Sequence, residues 1–396
     1  MPGKLKIVYL LPGGLFNPGG MERITINKAN YMAEKKGWDI YIVTTEQMGQ
    51  PVFFPVSEKV HLVHLDIGMY VNFGKESYLE KCVSRYRKNR EYRIKLNQLL
   101  CEIRPDFTIS TLGGLDIEFI NRLKDGSVKW GELHFPGNYR QLMARKLSDA
   151  LIPNLVARIR TYIFRKKCSQ LNRLIVLTEE EKTTWHHKKN IEVIPNALSF
   201  YPDTVSTCGQ KQAIAVGRLV YEKGYDLLIE AWKAVYMKHP DWELHIFGQG
   251  DQKEKLNEQI LSNNMESVIR IHDPSKNIYK QFQESSFMVF PSRFLEALPM
   301  VLIEAMSCGL PLVAFDAPCG PKDIIAEGVN GFLVPTGDVE TFSERMIQMI
   351  ESDDLRRKMG ETAREMSYIY SIDEVMKRWI DLFDRYVTPD LKKLRK

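Results

Sequence analysis

Residues 290–309 of the chain, FPSRFLEALPMVLIEAMSCG, predict the end of a strand, then a loop, then a helix. Pro299 suits the first helical turn, where a missing amide donor costs nothing, and Gly309 suits the C-terminal cap. At the start of such a helix the amides of Met300, Val301 and Leu302 have no intrahelical acceptor and lie at the positive end of the helix dipole. The stretch therefore predicts a binding site for a phosphate group.

Two glutamates accompany this predicted phosphate site: Glu296 in the loop and Glu304 one turn inside the helix. Without another role these acids would repel a phosphate, whereas carboxylates readily accept hydrogen bonds from sugar hydroxyls. Either glutamate alone is most simply interpreted as a solvated or capping acid. The pair, in its apolar and proline-marked frame, predicts a ligand that carries both phosphate and hydroxyl groups.

A second motif, GRLVYEKG at residues 217–224, directly follows a predicted strand and contains the cations Arg218 and Lys223. Loops at the ends of parallel strands are where open α/β sheets bind ligands. One cation about 4 Å from a phosphate contributes roughly 4 kcal/mol at an effective dielectric constant of 20, before desolvation is subtracted. Two cations match a diphosphate; the alternative is a surface Arg and Lys that pair with Glu222.

Outside these motifs, short apolar strands alternate with helical stretches along the whole chain. In the first half, predicted strands cover residues 4–10, 38–44, 60–65, 107–111, 174–177 and 191–194, with a helix at 22–36. After a turn-rich segment at 199–210, predicted strands cover 213–216, 243–247, 268–272, 287–290, 311–315 and 331–334, with helices at 225–237 and 252–263. This alternation predicts the α/β class with parallel sheets in two domains, residues 1–200 and 201–371. An amphipathic helix follows at about 372–396.

The composition is that of a soluble globular protein of two or three domains, with 396 residues, 44% of them hydrophobic and 27% charged. No stretch approaches the roughly 20 apolar residues of a membrane-spanning helix. The apolar run at residues 7–11 is too short for a secretory leader, so we expect a first strand and a cytoplasmic protein. The six cysteines have no spacing suited to zinc, and reduced thiols are expected.

The first half contains its own glycine loop before a helix, NPGGMER at residues 17–23, where Gly19 and Gly20 let the backbone approach a bulky ligand. It is not the Gly-x-Gly-x-x-Gly fingerprint, which disfavours NAD. The sequence also has no phosphate loop ending in Gly-Lys-Ser/Thr and no Asp-x-Asp metal pair, so we expect neither a cofactor nor a metal. His134 follows a predicted strand. A lone histidine is more often structural, but its expected position at the edge of a cleft makes His134 a candidate active-site residue.

Together these motifs resemble those of the family 4 glycosyltransferases, retaining enzymes of the GT-B architecture, over nearly the whole chain. The strongest element is the E-x7-E signature of Glu296 and Glu304; residues 217–219, 222–224 and 194–196 also match. The resemblance implies two facing Rossmann-like domains with the active site in the cleft between them. It also implies a C-terminal helix that packs back on the first domain.

The resemblance also implies a role for each matching residue. The donor diphosphate would be bound by Arg218, Lys223 and the backbone at Gly19, Gly20, Val301 and Leu302. Glu304 would bind the ribose, and Glu296 and His134 would contact the transferred sugar. The backbone at Ile271, His272 and Asp273 would face the base. The chain departs from the family pattern at Ala197, Asp273 and Ala297, where glycine is common. Asp273 affects the expected contacts with the base.

The implied reaction transfers a hexose or N-acetylhexosamine, with retention and without metal, from a nucleotide-diphosphate sugar to a glycan or lipid-linked acceptor in surface polysaccharide synthesis. UDP is the expected nucleotide. Bond cleavage produces an oxocarbenium-like sugar and an anionic leaving group, which Arg218, Lys223 and the helix N-terminus would stabilise. Two alternatives stay open: a non-catalytic nucleotide- or anion-binding module, and a GT-B nucleotide-sugar epimerase.

The charge distribution predicts a second partner, because residues 1–200 have a formal charge of +11 and residues 201–396 a charge of −6. Two basic runs dominate, Lys81, Arg85, Arg87, Lys88, Arg90, Arg93 and Lys95, and Arg140, Arg145, Lys146, Arg158, Arg160, Arg165, Lys166 and Lys167. The second run is interleaved with Leu147, Leu151, Ile152, Leu155, Val156, Ile159, Tyr162, Ile163 and Phe164. Such a segment can lie in an interface, so we expect peripheral contact with the anionic inner face of the cytoplasmic membrane. The alternative is a solvated basic face. Nucleic acid is disfavoured, since no recognition signature is present.

Overall fold

The computed structural model describes residues 4–69, 78–147, 151–185, 189–275, 277–294 and 296–387. Contacts divide the chain into two compact units. Unit 1 comprises residues 1–177, 182–199 and 375–396, and unit 2 comprises residues 178–181 and 200–374.

A seven-stranded parallel sheet organises unit 1. The elements of the first half of the chain are β1 (Lys6–Leu11), α1 (Gly20–Lys35), β2 (Asp39–Thr44), β3 (Val60–His64), α2 (Tyr78–Ile103), β4 (Phe107–Ser110), β5 (Val128–Glu132), α3 (Tyr139–Leu147), α4 (Leu151–Cys168), β6 (Arg173–Val176), α5 (Glu179–Thr183) and β7 (Ile191–Val193). The strand order is β3-β2-β1-β4-β5-β6-β7, with every neighbouring pair parallel. The chain direction across the sheet therefore reverses between β1 and β4, the switch point of a Rossmann-like fold.

The central strands β1 and β4 are almost entirely buried. Helices cover both faces of a parallel sheet, so its strands are continuously apolar rather than alternating. The chain leaves α1 through Gly37, whose φ of +67° ends the helix before β2.

A six-stranded parallel sheet organises unit 2. Its elements are β8 (Gln212–Val216), α6 (Tyr225–Lys238), β9 (Glu243–Phe247), α7 (Lys253–Ser262), β10 (Ile269–His272), α8 (Ile278–Gln283), β11 (Phe287–Phe290), α9 (Met300–Ser307), β12 (Leu312–Phe315), α10 (Pro321–Ile324), β13 (Gly331–Val334), α11 (Val339–Glu351) and α12 (Asp353–Ser367). The strand order is β10-β9-β8-β11-β12-β13, so the reversal falls between β8 and β11. In the core, Phe315 stacks on Phe342 with 4.1 Å between ring centroids.

The last helix, α13 (Ile372–Val387), belongs to unit 1 from Val375 onward. Its Phe383 stacks on Trp130 of β5 at 4.8 Å between centroids and meets Phe107 of β4 edge-on at 5.0 Å. Each such aromatic pair contributes about 0.5–1.5 kcal/mol beyond the area that it buries. A segment distant in sequence thus completes the core of unit 1. The predicted continuation over residues 388–396 lies outside the described residues.

The predicted fold class is confirmed: both units are Rossmann-like, and the predicted strands begin and end within two residues of the observed ones. Local periodicity was sufficient for these strands because they are short apolar runs between turns. No bounds were predicted for β5, whose sequence VKWGE is not a continuous apolar run. Within the described ranges, no helix has the length and apolar character needed to cross a bilayer.

Candidate active site

Two loops at the carboxyl ends of the neighbouring strands β8 and β11 form the centre of the candidate site. The first contains a 3-10 turn, Tyr221–Lys223, followed by Gly224, and the second begins at Pro291. Gly224 has a φ of +68°, and a Cβ atom there would lie 2.1 Å from the Pro291 carbonyl oxygen. Only glycine permits this conformation and this approach. The Arg293 amide donates to the Glu222 carbonyl at 2.8 Å, which joins the two loops.

The joined loops place Lys223 beside Glu296. Lys223 Nζ lies 2.5 Å from Glu296 Oε1, and Ser292 Oγ donates to the same oxygen at 2.5 Å. The Glu296 side chain is 7% exposed and that of Lys223 is 20% exposed, so the pair is shielded on most sides. Burial and, secondly, the charge of Glu296 raise the pKa of Tyr225, a neutral phenol close to this carboxylate. Sequence reasoning did not identify Ser292 or Tyr225 as neighbours of the glutamate.

Arg218 lies exposed after β8 and forms no ion pair with any other described residue. The loop after β9 packs against its backbone through two glycines. A Cβ atom at Gly248 would lie 1.9 Å from the Gly217 carbonyl oxygen, and one at Gly250 would lie 2.2 Å from the Leu219 carbonyl oxygen. These glycines hold the Arg218 loop, and the signal that sequence reasoning missed was a Gly-x-Gly directly after a predicted strand.

The start of α9 is partly as predicted. Pro299 is the N-cap residue rather than a member of the first turn, and the amides of Met300 and Val301 make no hydrogen bond to another described residue. The Leu302 amide donates to the Pro299 carbonyl at 3.0 Å. The prediction of an unpaired amide at Leu302 is therefore wrong, because the first turn closes with a tight i to i+3 bond. Gly309, with a φ of +76°, follows the C-cap.

Glu304 lies in the second turn of α9 and is 7% exposed. The loop before α10 packs on the start of the same helix, since a Cβ atom at Gly320 would lie 2.5 Å from Pro299 Cδ. Gly320 has a φ of +116°, which other residues rarely adopt. The start of α9 is thus held between the loop after β11, which begins at Pro291, and the loop after β12, which contains Gly320.

The residues predicted to face a base lie at the end of β10. Ile271 is half-buried, and His272 stacks on Phe247 of β9 with 4.6 Å between centroids. The His272 carbonyl accepts a hydrogen bond from the Gly248 amide at 2.9 Å. Asp273 is 81% exposed and pairs with Lys253 at 2.7 Å. Burial and the nearby charges of His245 and Arg270 lower the pKa of His272, so this ring is neutral near pH 7.

In unit 1, Gly19 is the N-cap residue of α1 and Gly20 its first residue. A Cβ atom at Gly19 would lie 2.0 Å from Glu22 Oε2, whereas one at Gly20 would meet no atom within 4 Å. The Glu22 carboxylate therefore lies over the helix N-terminus where a phosphate is expected. Burial raises the pKa of Glu22 above its usual range.

His134 follows β5 and lies next to a buried ion pair. Its side chain is 7% exposed, and Nε2 lies 3.4 Å from Glu132 Oε1. Glu132 and Lys28 form a salt bridge in which their side chains are 2% and 4% exposed. The Lys28 ammonium also lies over the ring of Trp379, 4.2 Å from its centroid. Neither Lys28 nor Glu132 was identified from the sequence, because nothing local relates a residue of α1 to one of β5.

Several cations of the basic runs have partners within the protein. Lys88 donates to the Gly68 carbonyl, Lys95 pairs with Glu91 at 2.8 Å, and Lys167 pairs with Glu118. Phe164 is 4% exposed and belongs to the core of unit 1, so its expected interfacial place is wrong, because it lies on the inner side of α4. The side chains of Arg145, Lys146 and Leu147 lie outside the described residues. The other apolar residues of the run are exposed, namely Leu151, Ile152, Leu155, Val156, Ile159, Tyr162 and Ile163.

Within the described part of the chain, no three His, Cys, Asp or Glu side chains lie close enough together to hold a metal ion. The six cysteines are free thiols.

Comparisons with known proteins relate the chain to glycosyltransferases. A sequence model of the family glycosyl transferases group 1 matches residues 203–366. An uncharacterized glycosyltransferase of Haemophilus influenzae is 29% identical over 365 residues, which cover 91% of this chain and 95% of that protein. The amylovoran biosynthesis glycosyltransferase AmsD of Erwinia amylovora is 28% identical over 388 residues, which cover 95% and 99%.

One similar solved structure is that of a TarM mutant of S. aureus in complex with fondaparinux, alpha-GlcNAc-glycerol and UDP. It aligns with a TM-score of 0.74 and 18% identity, over 96% of this chain and 100% of that one. At this identity the likeness concerns the fold alone.

The Lys28–Glu132 pair generates a prediction about stability. Burial alone would raise the pKa of Glu132, but the charges of Lys28 and His134 outweigh it and lower that pKa from 4.5 to about 2. The pair therefore stabilises unit 1 fully above about pH 4.5, and this contribution is lost as the pH falls toward 2. We expect Lys28→Met to lower the free energy of unfolding by about 3–5 kcal/mol at pH 7, because it leaves a buried carboxylate without its ammonium.

The measurement is urea unfolding at several pH values, with the double variant Lys28→Met/Glu132→Leu alongside. The double variant should recover part of the loss and show a flatter pH dependence between pH 4.5 and 2. Lys4→Met is the matched control, since the Lys4–Asp39 pair is 59% and 33% exposed, and its cost should stay below about 1 kcal/mol. Equal costs for Lys28→Met and Lys4→Met would contradict the assignment.

Proposed function

We propose that this chain, which belongs to the glycosyl transferases group 1 family and has the GT-B fold, transfers a sugar from a nucleotide-diphosphate sugar. The transferred sugar is a hexose or N-acetylhexosamine, and its configuration is retained. Family membership makes the chain a glycosyltransferase, and the proposal concerns its donor, stereochemistry, metal requirement and acceptor. We assign it to the retaining family 4, with UDP as the nucleotide, and its acceptor to surface polysaccharide synthesis.

The observation that carries this proposal is the contact between Lys223 and Glu296 at the switch point of unit 2. The ammonium lies 2.5 Å from a carboxylate oxygen that also accepts from Ser292. A diphosphate bound by Lys223 would thus have Glu296 directly beside it, where the hydroxyls of the attached sugar need acceptors. The two groups match the junction between a phosphate and a sugar.

The same contact supports retention through the front face of the sugar. Glu296 already accepts from an ammonium and a hydroxyl, which stabilises its anion and weakens it as a nucleophile. The departing phosphate would then accept the proton of the incoming hydroxyl, on the side from which it leaves. Arg218, Lys223 and the amides of Met300 and Val301 would stabilise the negative charge that develops on this phosphate.

The charges of unit 2 also support catalysis without a divalent metal. A metal in this reaction would neutralise the leaving diphosphate. Two cationic side chains and a helix N-terminus can supply the same stabilisation.

For the acceptor, the name of the AmsD relative supports polysaccharide synthesis, and the surface of α4 supports a lipid-linked molecule at a membrane. Leu151 is 82% exposed and Ile152 is 75% exposed, and cations flank this apolar surface along the same helix. A helix with this pairing of apolar and basic residues can lie in an anionic interface. Each basic residue near such a surface contributes about 1 kcal/mol.

Substitutions at the Lys223–Glu296 contact test the assignment of the site. We expect Glu296→Gln and Lys223→Ala each to lower turnover at least about 100-fold while the fold survives, because both groups act on charge that develops in the transition state. The assay uses the nucleotide sugar that most raises the unfolding midpoint within a panel, since a ligand at 100 times its Kd adds about 2.7 kcal/mol. NMR of the product reports the anomeric configuration.

The matched controls are Glu230→Gln and Lys233→Ala, which remove one partner each of an exposed ion pair on α6. Their rates should stay within about twofold of wild type. Near-normal rates in both site variants would remove the assignment, and sugar interconversion without transfer would favour an epimerase.

Metal independence has its own test. Transfer should continue at an undiminished rate in excess EDTA, because the cationic side chains and the helix dipole already neutralise the diphosphate. The rate is compared before chelation, after chelation and after Mg²⁺ or Mn²⁺ is restored. Complete loss with the chelator, reversed by the metal, would contradict the proposal.

Vesicle sedimentation tests membrane contact. The chain should sediment with anionic but not with neutral vesicles at low salt, and high salt should release it, since screening weakens the attraction. The double variant Leu155→Ser/Ile159→Ser should bind several-fold less. Met237→Ser/Leu261→Ser, which changes two exposed apolar residues of unit 2, is the matched control. Failure to bind either kind of vesicle at low salt would contradict the proposed membrane contact.

A further inference from the structure

An open pocket of about 560 Å³ lies along α4 in unit 1, and none of its residues belongs to the proposed donor site. We call it the α4 pocket. Its main lining residues are Arg158, Thr161, Tyr162, Arg165, Lys166 and Trp185. It is large enough for a phosphate group together with a small headgroup.

The charges of the α4 pocket favour binding of an anion. Arg158, Arg165 and Lys166 line it, and none of the described lining residues is acidic. Within the described residues, neither Arg158 nor Lys166 has a carboxylate partner. Three like charges around one pocket repel each other, and an anion would reverse that cost.

The pocket wall also contains two enclosed polar atoms, Thr161 Oγ1 and Arg165 Nε, that have no hydrogen-bond partner among the described residues. Thr161 is 2% exposed and its hydroxyl has no hydrogen-bond partner among the described residues, although buried hydroxyls are normally bonded. The Arg165 guanidinium donates to the Thr184 carbonyl at 2.7 Å and lies over the Trp185 ring at 5.0 Å, yet no described residue accepts from its Nε. Arg165 is thus held in place while one donor stays unused. A hydroxyl and a fixed guanidinium are the groups that phosphate oxygens accept from.

The helix geometry joins this pocket to the exposed apolar surface. Arg158, Tyr162 and Lys166 recur every four residues and form one row along α4, and Leu155, Ile159 and Ile163 form the next row around the helix. All three members of the apolar row are exposed. A phosphate in the pocket would therefore have an apolar strip beside it, which a hydrocarbon chain can cover.

We propose that the α4 pocket is a stoichiometric binding site for the phosphate headgroup of an anionic lipid, whose chain lies along Leu155, Ile159 and Ile163. The apolar row favours a lipid over a phosphorylated glycan, which would have no use for it. The site goes beyond the proposed diffuse attraction to a charged membrane, because it requires particular groups and binds one lipid molecule in the absence of a bilayer.

The test is calorimetric titration of the full chain with dihexanoyl phosphatidic acid below its critical micelle concentration. We expect one saturable site. Thr161→Val, which removes the hydroxyl and keeps the shape, should weaken binding several-fold, and Arg158→Gln/Lys166→Gln should weaken it at least tenfold. Leu155→Ser/Ile159→Ser should weaken binding of the lipid and leave the affinity for glycerol 3-phosphate unchanged. The melting curve of each variant reports whether it is folded.

The matched control is Arg90→Gln/Arg160→Gln, which removes the same charge from exposed positions that do not line the pocket, and it should stay within twofold of wild type. Loss of affinity in this control equal to that of Arg158→Gln/Lys166→Gln would overturn the site in favour of diffuse charge. Binding of glycerol 3-phosphate as tight as that of the lipid would overturn the lipid in favour of a phosphorylated glycan. The titration contains neither nucleotide sugar nor vesicles, so a negative result rejects the pocket and leaves the donor assignment to its own assay.

Discussion

The close approach of Gly224 to the Pro291 carbonyl is the constraint on which the site of unit 2 depends. A side chain at residue 224 would push the loop after β8 away from the loop after β11. With that contact in place, Lys223 and Glu296 meet although they are 73 residues apart. The glycines of the β9 loop and the β12 loop repeat the same device around Arg218 and the start of α9. Backbone packing without side chains thus brings together the loops that follow β8, β9, β11 and β12.

The two units use opposite charges in different ways. The Lys223–Glu296 pair keeps part of the lysine exposed, so the diphosphate that we propose as part of the donor could compete for the ammonium. The Lys28–Glu132 pair is closed off by Trp379 and Tyr9, so its charges serve the fold and the surroundings of His134 rather than a ligand. On α4, a basic pocket and an apolar row lie side by side, and the proposed lipid would contact both.

Much of the fold and part of the site could be predicted from the sequence. The strands other than β5 and the frame around Glu296 and Glu304 were recognisable, since each depends on residues within one strand, loop and helix. The unpaired amide expected at Leu302 was wrong, because the closure of a first turn depends on backbone angles that composition does not set. The interfacial place of Phe164 was wrong, because a mixed basic and apolar run does not say which side of its helix faces the core.

By itself the sequence determined the two α/β units and the chemical character of the E-x7-E loop and helix, because periodicity and short motifs act over a few residues. Only the tertiary structure decided which charges pair. Glu132 meets Lys28 from 104 residues away, and α13 joins the core of unit 1 from the far end of the chain. Such partnerships follow from the order of strands in a sheet, and strand order depends on how distant segments pack rather than on the residues of any one segment.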